Sequence, residues 1–344
     1  MPMLRSSETS RPVAWWLFAV AVLVFAMVVV GGSTRLTGSG LSITEWKPVT
    51  GAIPPLSHQA WVSEFQKYQR IPQYRFINHG MSLAAFQGIY WWEWSHRLLG
   101  RLIGVVFLVP FVGFLATRQV PRRLTWRIWA IFGLGALQGL VGWWMVASGL
   151  EGRVSVAPER LAIHLGLALF LFCLLIWTGL EARFGPGRPN FETRWRTPAA
   201  LMAALVFFQI MLGGLVAGDH AGLVYNDWPL MNGRLFPKDY LGGEGLLHAL
   251  LHSQAAVQFN HRLGAYLLVA CAAATAGLAA RRNSLPRGAS TPAFLFAALV
   301  LFQACLGVVT LISRAPLALS LAHQCTAAVV LACALALAWR VRRA

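Results

Sequence analysis

Apolar residues in this chain come in long unbroken blocks, neither alternating as in a strand nor recurring one in three or four as on a half-buried helix. With roughly 20 apolar residues needed to cross the hydrocarbon of a bilayer, the blocks predict spans over residues 13–32, 95–117, 125–148, 158–180, 197–217, 255–280, 292–313 and 316–339. The first block, "VAWWLFAVAVLVFAMVVVGG", is long and lacks a small-residue cleavage site, so it reads as an uncleaved helix and not as a signal peptide. Pro110 falls in the middle of the second, where a simple kink accommodates it. Two polar connections, about 33–90 and 218–254, mix acidic, basic, Pro and Gly residues and are too long to be turns. The predicted fold class is an all-α integral membrane protein with eight transmembrane helices.

Composition sharpens this reading. Of 344 residues, 57% are hydrophobic and 12% charged, which excludes a soluble domain. The net charge of +17 would suit a nucleic-acid partner, but the basic residues lie in short clumps between apolar blocks and form no continuous basic face. No nucleic acid is expected; membrane lipid is the partner, and the charge reports topology. Arg5 and Arg11 precede the first span. Arg118, Arg122, Arg123 and Arg127 join the second to the third, and Arg183, Arg188, Arg194 and Arg196 join the fourth to the fifth. Arg281, Arg282 and Arg287 follow the sixth, and Arg340, Arg342 and Arg343 end the chain. Basic residues stay on the cytoplasmic side, so both termini are predicted cytoplasmic and the two long connections external. Cys173, Cys271, Cys305, Cys325 and Cys333 all fall within predicted spans without a C-x-x-C pair, which indicates buried hydrophobes and no disulfide or zinc framework.

The chain repeats itself. "GGSTRLTGSG" (31–40) aligns with "GGLVAGDHAG" (213–222), and "WSHRLLGR" (94–101) with "FNHRLGAY" (259–266). "LQGLVG" (137–142) aligns with "FQACLG" (302–307), and "APERLAIHLGLA" (157–168) with "APLALSLAHQCTA" (315–327). Each half holds an even number of spans, so both insert the same way round: a parallel repeat of two four-helix bundles, with halves over 1–190 and 191–344.

Within this frame the nine histidines sort themselves. His96, His164, His261 and His323 lie at repeated positions, whereas His58, His79, His220, His248 and His252 belong to the long connections. The charge-free run after Arg101 covers only ~24 Å at 1.5 Å per residue, which draws His96 to the outer edge of the hydrocarbon. His164 and His323 follow the helix-opening Pro158 and Pro316 by six and seven residues, and His261 precedes the apolar run 263–280. Each half thus offers one imidazole from its second helix and one from its fourth at matching depth, the arrangement that holds a haem by two axial ligands. A histidine hydrogen-bonded in a helix interface is the alternative for any one taken alone. His248 and His252, at i and i+4, share a helix face that suits solvated histidine better than a metal.

The halves differ at one place. Glu93 precedes His96 by three residues, while Gln258 holds the equivalent place before His261. At that spacing Glu93 shares a helix face with His96; it either faces the edge of a bound haem or simply pairs with Arg97. Arg97, Arg101 and Arg262 can extend to haem propionates, or snorkel to lipid phosphate. Trp61, Phe65 and Tyr68, at near-helical spacing in the segment 46–74, either lie on the membrane surface or cover the first haem pocket.

The strings "GGSTRLTGSGLSITEWKPVTGAIPPL", "EWSHRLLGR", "RLAIHL", "LVAGDHAGLVYNDWPLM", "FNHRLGAY" and "AHQ", spread over nearly the whole chain, resemble the haem A synthase family. One branch of that family carries a cysteine pair in its first outer loop; its absence here resembles the proteobacterial and mitochondrial branch. The resemblance implies oxidation of the C8 methyl of haem O to a formyl group with oxygen from water, in the bacterial inner membrane, for the cofactor of cytochrome c oxidase. It implies that His96 and His164 ligate the substrate haem with Glu93 at its methyl edge, and that His261 and His323 hold a resident haem b. The implied partners are a haem O synthase and an electron acceptor; a homo-oligomer is compatible. Two other classes use part of the same pattern. A dihaem, quinone-linked electron-transfer protein needs the four histidines but not a carboxylate in one half only. A secondary transporter explains a parallel repeat but not histidines matched in depth.

Overall fold

The structure, a computed structural model, describes residues 8–186, 195–243, 245–281, 285 and 288–343. Arg5, Arg188, Arg194, Arg282 and Arg287, which contribute to the charge pattern above, lie outside these residues. In chain order the helices are α1 (Arg11–Leu36), α2 (His58–Tyr68), α3 (Pro72–Phe76), α4 (Leu83–Ala116), α5 (Arg122–Leu150) and α6 (Pro158–Phe184). They continue with α7 (Arg196–Gly218), α8 (Leu246–His252), α9 (Gln254–Ala280), α10 (Ser290–Ile312) and α11 (Leu317–Arg343). Among the described residues eight helices are long and apolar enough to span a membrane: α1, α4, α5, α6, α7, α9, α10 and α11. The chain is a multi-pass membrane protein. With eight crossings both termini share one face, the terminal face, and the long connections share the other, the loop face.

The helix ends follow local chemistry. Proline occupies the first turn of α1 and α6, where its missing N–H costs nothing. Ser57, Ser82 and Ser253 cap α2, α4 and α9 by accepting from the backbone N–H three residues on. The main departure from the apolar pattern is α4, which begins at Leu83 and not near residue 95. Helical propensity continues past the hydrophobic block, and Ser82 sets the start. At 34 residues α4 is ~51 Å long, far more than the ~30 Å hydrocarbon. Its first turns therefore stand clear of the bilayer, and α4 runs through Pro110 without a break.

Those projecting turns form a wall. Trp61, Phe65 and Tyr68 of α2 pack on it, with ring centroids 4.9 Å from Tyr90, 5.0 Å from Phe86 and 5.3 Å from Phe86 respectively. Tyr68 and Phe86 are fully buried, among Leu41, Ile43 and Val146. In segment 46–74, α2 packs on α4 and α3 on α5 at their loop-face ends.

In the membrane, α1, α4, α5 and α6 pack in a closed ring, each on the next and α6 back on α1. Helices α7, α9, α10 and α11 form a second ring of the same order. The rings meet through α1 on α11, α6 on α7 and α6 on α11, the pattern a two-fold axis along the membrane normal produces. Glycines at these contacts let the helices approach. A Cβ on Gly32 of α1 would meet Gln324 of α11, and one on Gly214 of α7 would meet Leu165 of α6. Gln324 also donates to the carbonyl of Val28, at 2.6 Å. At the terminal face the buried Glu181 of α6 accepts from Arg127 of α5 at 2.6 Å and Arg342 of α11 at 3.5 Å, tying the rings together. Outward faces carry exposed Val105, Val109, Leu140, Leu201, Phe208, Leu267 and Leu301, as lipid contact requires.

Candidate active site

The four repeated histidines stand level. His96, His164, His261 and His323 precede the terminal-face ends of α4, α6, α9 and α11 by 20, 20, 19 and 20 residues. At 1.5 Å per residue that is about 30 Å, the thickness of the hydrocarbon, which sets all four imidazoles near its loop-face boundary. His261 and His323 face each other across the second ring, with centroids 6.5 Å apart and planes at 84°. His96 and His164 are within electrostatic reach of each other in the first.

Each imidazole rests on a glycine of a neighbouring helix. A Cβ on Gly31 of α1 would lie 3.1 Å from His96 Nε2, and one on Gly142 of α5 would lie 2.9 Å from His164 Cε1. In the second ring a Cβ on Gly213 of α7 would lie 3.1 Å from His261 Cε1, and one on Gly307 of α10 would lie 2.7 Å from His323 Cε1. A larger residue would displace the ring, slightly at Gly31 and Gly213 and further at Gly142 and Gly307. Gly31 aligns with Gly213 and Gly142 with Gly307, so the seats repeat as the histidines do. These glycines, and the glutamines four residues before three of them, touch the histidines and were not among the residues singled out from the sequence. Their signal was present in the duplicated strings "LQGLVG" and "FQACLG", which mark a packing relation that periodicity alone leaves unexplained.

These residues fit a bis-histidine group. Two facing imidazole nitrogens can each reach one ion between them over a bond of about 2 Å, which a 6.5 Å centroid separation accommodates. His164 and His323 keep a buried Nδ1 without a partner, and Arg101 Nη1 and Arg262 Nε are buried N–H groups equally unspent. Orphaned polar atoms on this scale at the loop-face end of both rings suit a ligand that brings its own acceptors. Among the described residues no three His, Cys, Asp or Glu side chains converge as a metal site. His248 and His252 lie with ring centroids 4.8 Å apart on α8, tilted at 40°, and His252 Nδ1 lies 4.0 Å from Glu159.

Glu93 is buried and its carboxylate is fully engaged. Oε2 accepts from Ser42 Oγ and Ile43 N, both at 2.8 Å, and Oε1 accepts from Arg97 Nη2 at 2.6 Å and Nε at 3.0 Å. Arg97 also donates to the carbonyls of Ile43 and Glu45. The pairing of Glu93 with Arg97 is thus present, with the loop 42–45 as its third member. The second ring repeats the device with neutral groups: Arg262 donates to the carbonyls of Tyr225 and Leu230, and Gln258 donates to Tyr225. A carboxylate faces a loop N–H in one half, and an amide faces a loop carbonyl in the other. Arg101 likewise donates to the carbonyls of Lys47 and Pro48. All three arginines therefore clamp the loop-face connections, because the guanidinium fork matches adjacent carbonyls as well as it matches a carboxylate. Beyond the membrane, hydrogen bonds from Lys47 and then Lys67 hold the Glu45 carboxyl below its ordinary range, while burial raises Asp219, at the end of α7, to about 6.

Comparison with known proteins agrees with this architecture. The family model described as cytochrome oxidase assembly protein matches residues 14–335. The chain is 59% identical over 343 residues to the heme A synthase of a Caulobacter species and 58% identical over 343 residues to that of Caulobacter vibrioides, covering all of each. It is 50% identical over 339 residues to the heme A synthase of Parvibaculum lavamentivorans, covering 98% of this chain and 96% of that one. With two four-helix rings, four level histidines on glycine seats and matches spanning nearly its whole length, the chain belongs to the cytochrome oxidase assembly protein family and, within it, to the haem A synthases.

Proposed function

We propose that this chain oxidises the C8 methyl of haem O to a formyl group, with oxygen taken from water, in the bacterial inner membrane. Residues 1–190 form the catalytic half, in which His96 and His164 hold the substrate. Residues 191–344 form the half that keeps a haem b, on His261 and His323. The observation that carries the assignment is the duplicated pair of seated histidines with a carboxylate, Glu93, beside one pair only. A site that only passes electrons needs ligands and a dry wall; one that removes C–H hydrogens also needs charge placed beside the reacting carbon.

The balance is R–CH₃ plus H₂O giving R–CHO, four electrons and four protons. Haem iron supplies the redox capacity for this chemistry when bound. The protein supplies placement. The glycine seats fix both imidazoles, α2 and α3 close the loop-face end against bulk water, and Glu93 holds a fixed negative charge one turn from His96. That charge stabilises the cation developing at the methyl edge and accepts a proton once a donor from Ser42 or Arg97 is released. The unspent N–H groups of Arg101 and Arg262, with Arg97 beside Glu93, meet the propionates.

With Arg11, Arg118, Arg122, Arg123, Arg127, Arg183, Arg196, Arg281 and Arg342 at the terminal face, that face is cytoplasmic and the histidines lie toward the periplasm. A haem O synthase delivers the substrate, an electron acceptor takes the four electrons, and assembly as a homo-oligomer is compatible with the exposed apolar faces. Chromatography of haem extracted from cells with and without the protein tests the reading. An aldehyde-bearing haem that appears only with the protein is expected. Its absence, with the protein present in the membrane and carrying haem, would leave a dihaem electron-transfer protein instead.

A further inference from the structure

Three of the four histidines share a neighbour that the fourth lacks. Gln138, Gln209 and Gln303 each stand four residues before the glycine seat. Each donates Nε2 to the backbone carbonyl of the histidine resting there: His164 at 3.0 Å, His261 at 2.8 Å and His323 at 2.9 Å. The amide of Gln209 also reaches Nδ1 of His261, at 3.0 Å. All three glutamine Oε1 atoms are buried without a partner, as are Nδ1 of His164 and His323. Each amide ties the backbone that carries the histidine to the seat helix, and the amides of Gln209 and Gln138 also lie beside the ring itself. A histidine held by such outer contacts keeps its place and orientation, which strengthens its hold on a metal.

At the fourth place stands Met27. It precedes Gly31 by four residues and Gln209 by the same 182 positions that separate Gly31 from Gly213. It faces the corresponding helix: Met27 Cε lies 3.6 Å from a Cβ on Gly100 of α4, and Gln209 Oε1 fills the space beside Gly264 of α9. A thioether is a weak acceptor and donates nothing, so it cannot bond the carbonyl of His96. Among the described residues no side chain bonds the carbonyl of His96, and its ring turns its Nε2 and Cδ2 edge to its glycine where the other three turn Cε1.

We infer that Met27 is a positioning residue that leaves His96 unanchored, so that His96 is the ligand that lets go when haem enters or leaves the first ring, while Gln138, Gln209 and Gln303 make the other three histidines fixed ligands. The inference rests on the two-haem reading above: a site that exchanges its haem needs one weak ligand, and a site that keeps it needs two firm ones.

The test is release of haem b from loaded, detergent-solubilised full-length protein to excess apomyoglobin, followed by absorbance. His96→Ala and His323→Ala variants assign the fast phase to the first ring and the slow phase to the second. Loss of one such hydrogen-bond partner typically changes metal affinity by 10 to 100-fold. Met27→Gln should therefore slow the fast phase by about tenfold and leave the slow one, and Gln209→Met should quicken the slow phase by about tenfold. A merely structural role for Met27 would lower thermal stability without slowing release. An unchanged fast phase in folded Met27→Gln overturns the inference. If that variant does not fold, an unchanged slow phase in Gln209→Met and Gln303→Met overturns it. Protein that binds no haem at either place would sink the two-haem reading itself.

Discussion

Gly307→Ala sets two effects of known size against each other at the seat of His323. The new Cβ would lie 2.7 Å from His323 Cε1. Close ordinary contacts begin near 3.4 Å, so the ring must retreat by ~0.7 Å, more than the ~0.5 Å within which a functional side chain must be held. Overpacking of this kind costs about 1–3 kcal/mol, whereas alanine in place of glycine within a helix returns about 1 kcal/mol. The clash wins at Gly307. At Gly31 and Gly213, where the approach is 3.1 Å, the two nearly cancel. At Gly139 on α5, whose Cβ position has nothing within 4 Å, only the helix gain of about 1 kcal/mol remains. The expected order of thermal stability in detergent is Gly139→Ala highest, then Gly213→Ala and Gly31→Ala, with Gly307→Ala lowest. Gly307→Ala should also lose the low-spin haem absorption of the second ring while Gly139→Ala keeps it. Full haem content in Gly307→Ala together with a stability matching Gly139→Ala would refute the seat.

Two further outcomes follow from the charges at the loop face. Glu93→Gln should keep the haem spectrum and abolish formyl-haem production, with a loss of about 1–3 kcal/mol of stability because Arg97 loses a charged partner; equal product in extracted haem would defeat the role given to Glu93. Asp219, raised to about 6 by burial with Glu159 adding to the shift and Arg153, Arg35 and His248 opposing it, favours the folded state when protonated. Its contribution is complete below the ordinary carboxylate range and is lost as pH rises through 6. Thermal midpoints should therefore decline between about pH 4 and 6 in a component that Asp219→Asn removes; an identical pH profile in that variant would count against the shift.

Helix α1 has a place of its own in this arrangement. Gly31 seats His96 of its own ring, and the next residue, Gly32, receives Gln324, the neighbour of His323. Gln324 hydrogen-bonds the α1 backbone at Val28, whereas the equivalent junction, Leu165 on Gly214, is apolar. The two rings are thus joined near their histidines by one polar and one apolar contact, an asymmetry laid over a symmetric frame.

Much of this molecule is legible along the chain because a bilayer is a severe solvent. Length and apolarity alone specify eight helices, duplicated strings specify two copies of one bundle, and helix counting puts four histidines at one depth. The chain could not show that α4 runs on from residue 95 back to Leu83, since hydropathy ends at the membrane boundary while helical propensity and the Ser82 cap do not. Nor could it choose the partners of Arg97, Arg101 and Arg262, for a guanidinium binds propionate, lipid phosphate or loop carbonyl with the same fork, and only the folded course of residues 42–48 and 225–230 brings carbonyls within reach. The glycine seats and the glutamines are visible as letters, but their meaning depends on which helices are neighbours. That is set by how one helix packs on its neighbour in the ring, a tertiary relation that no local pattern encodes.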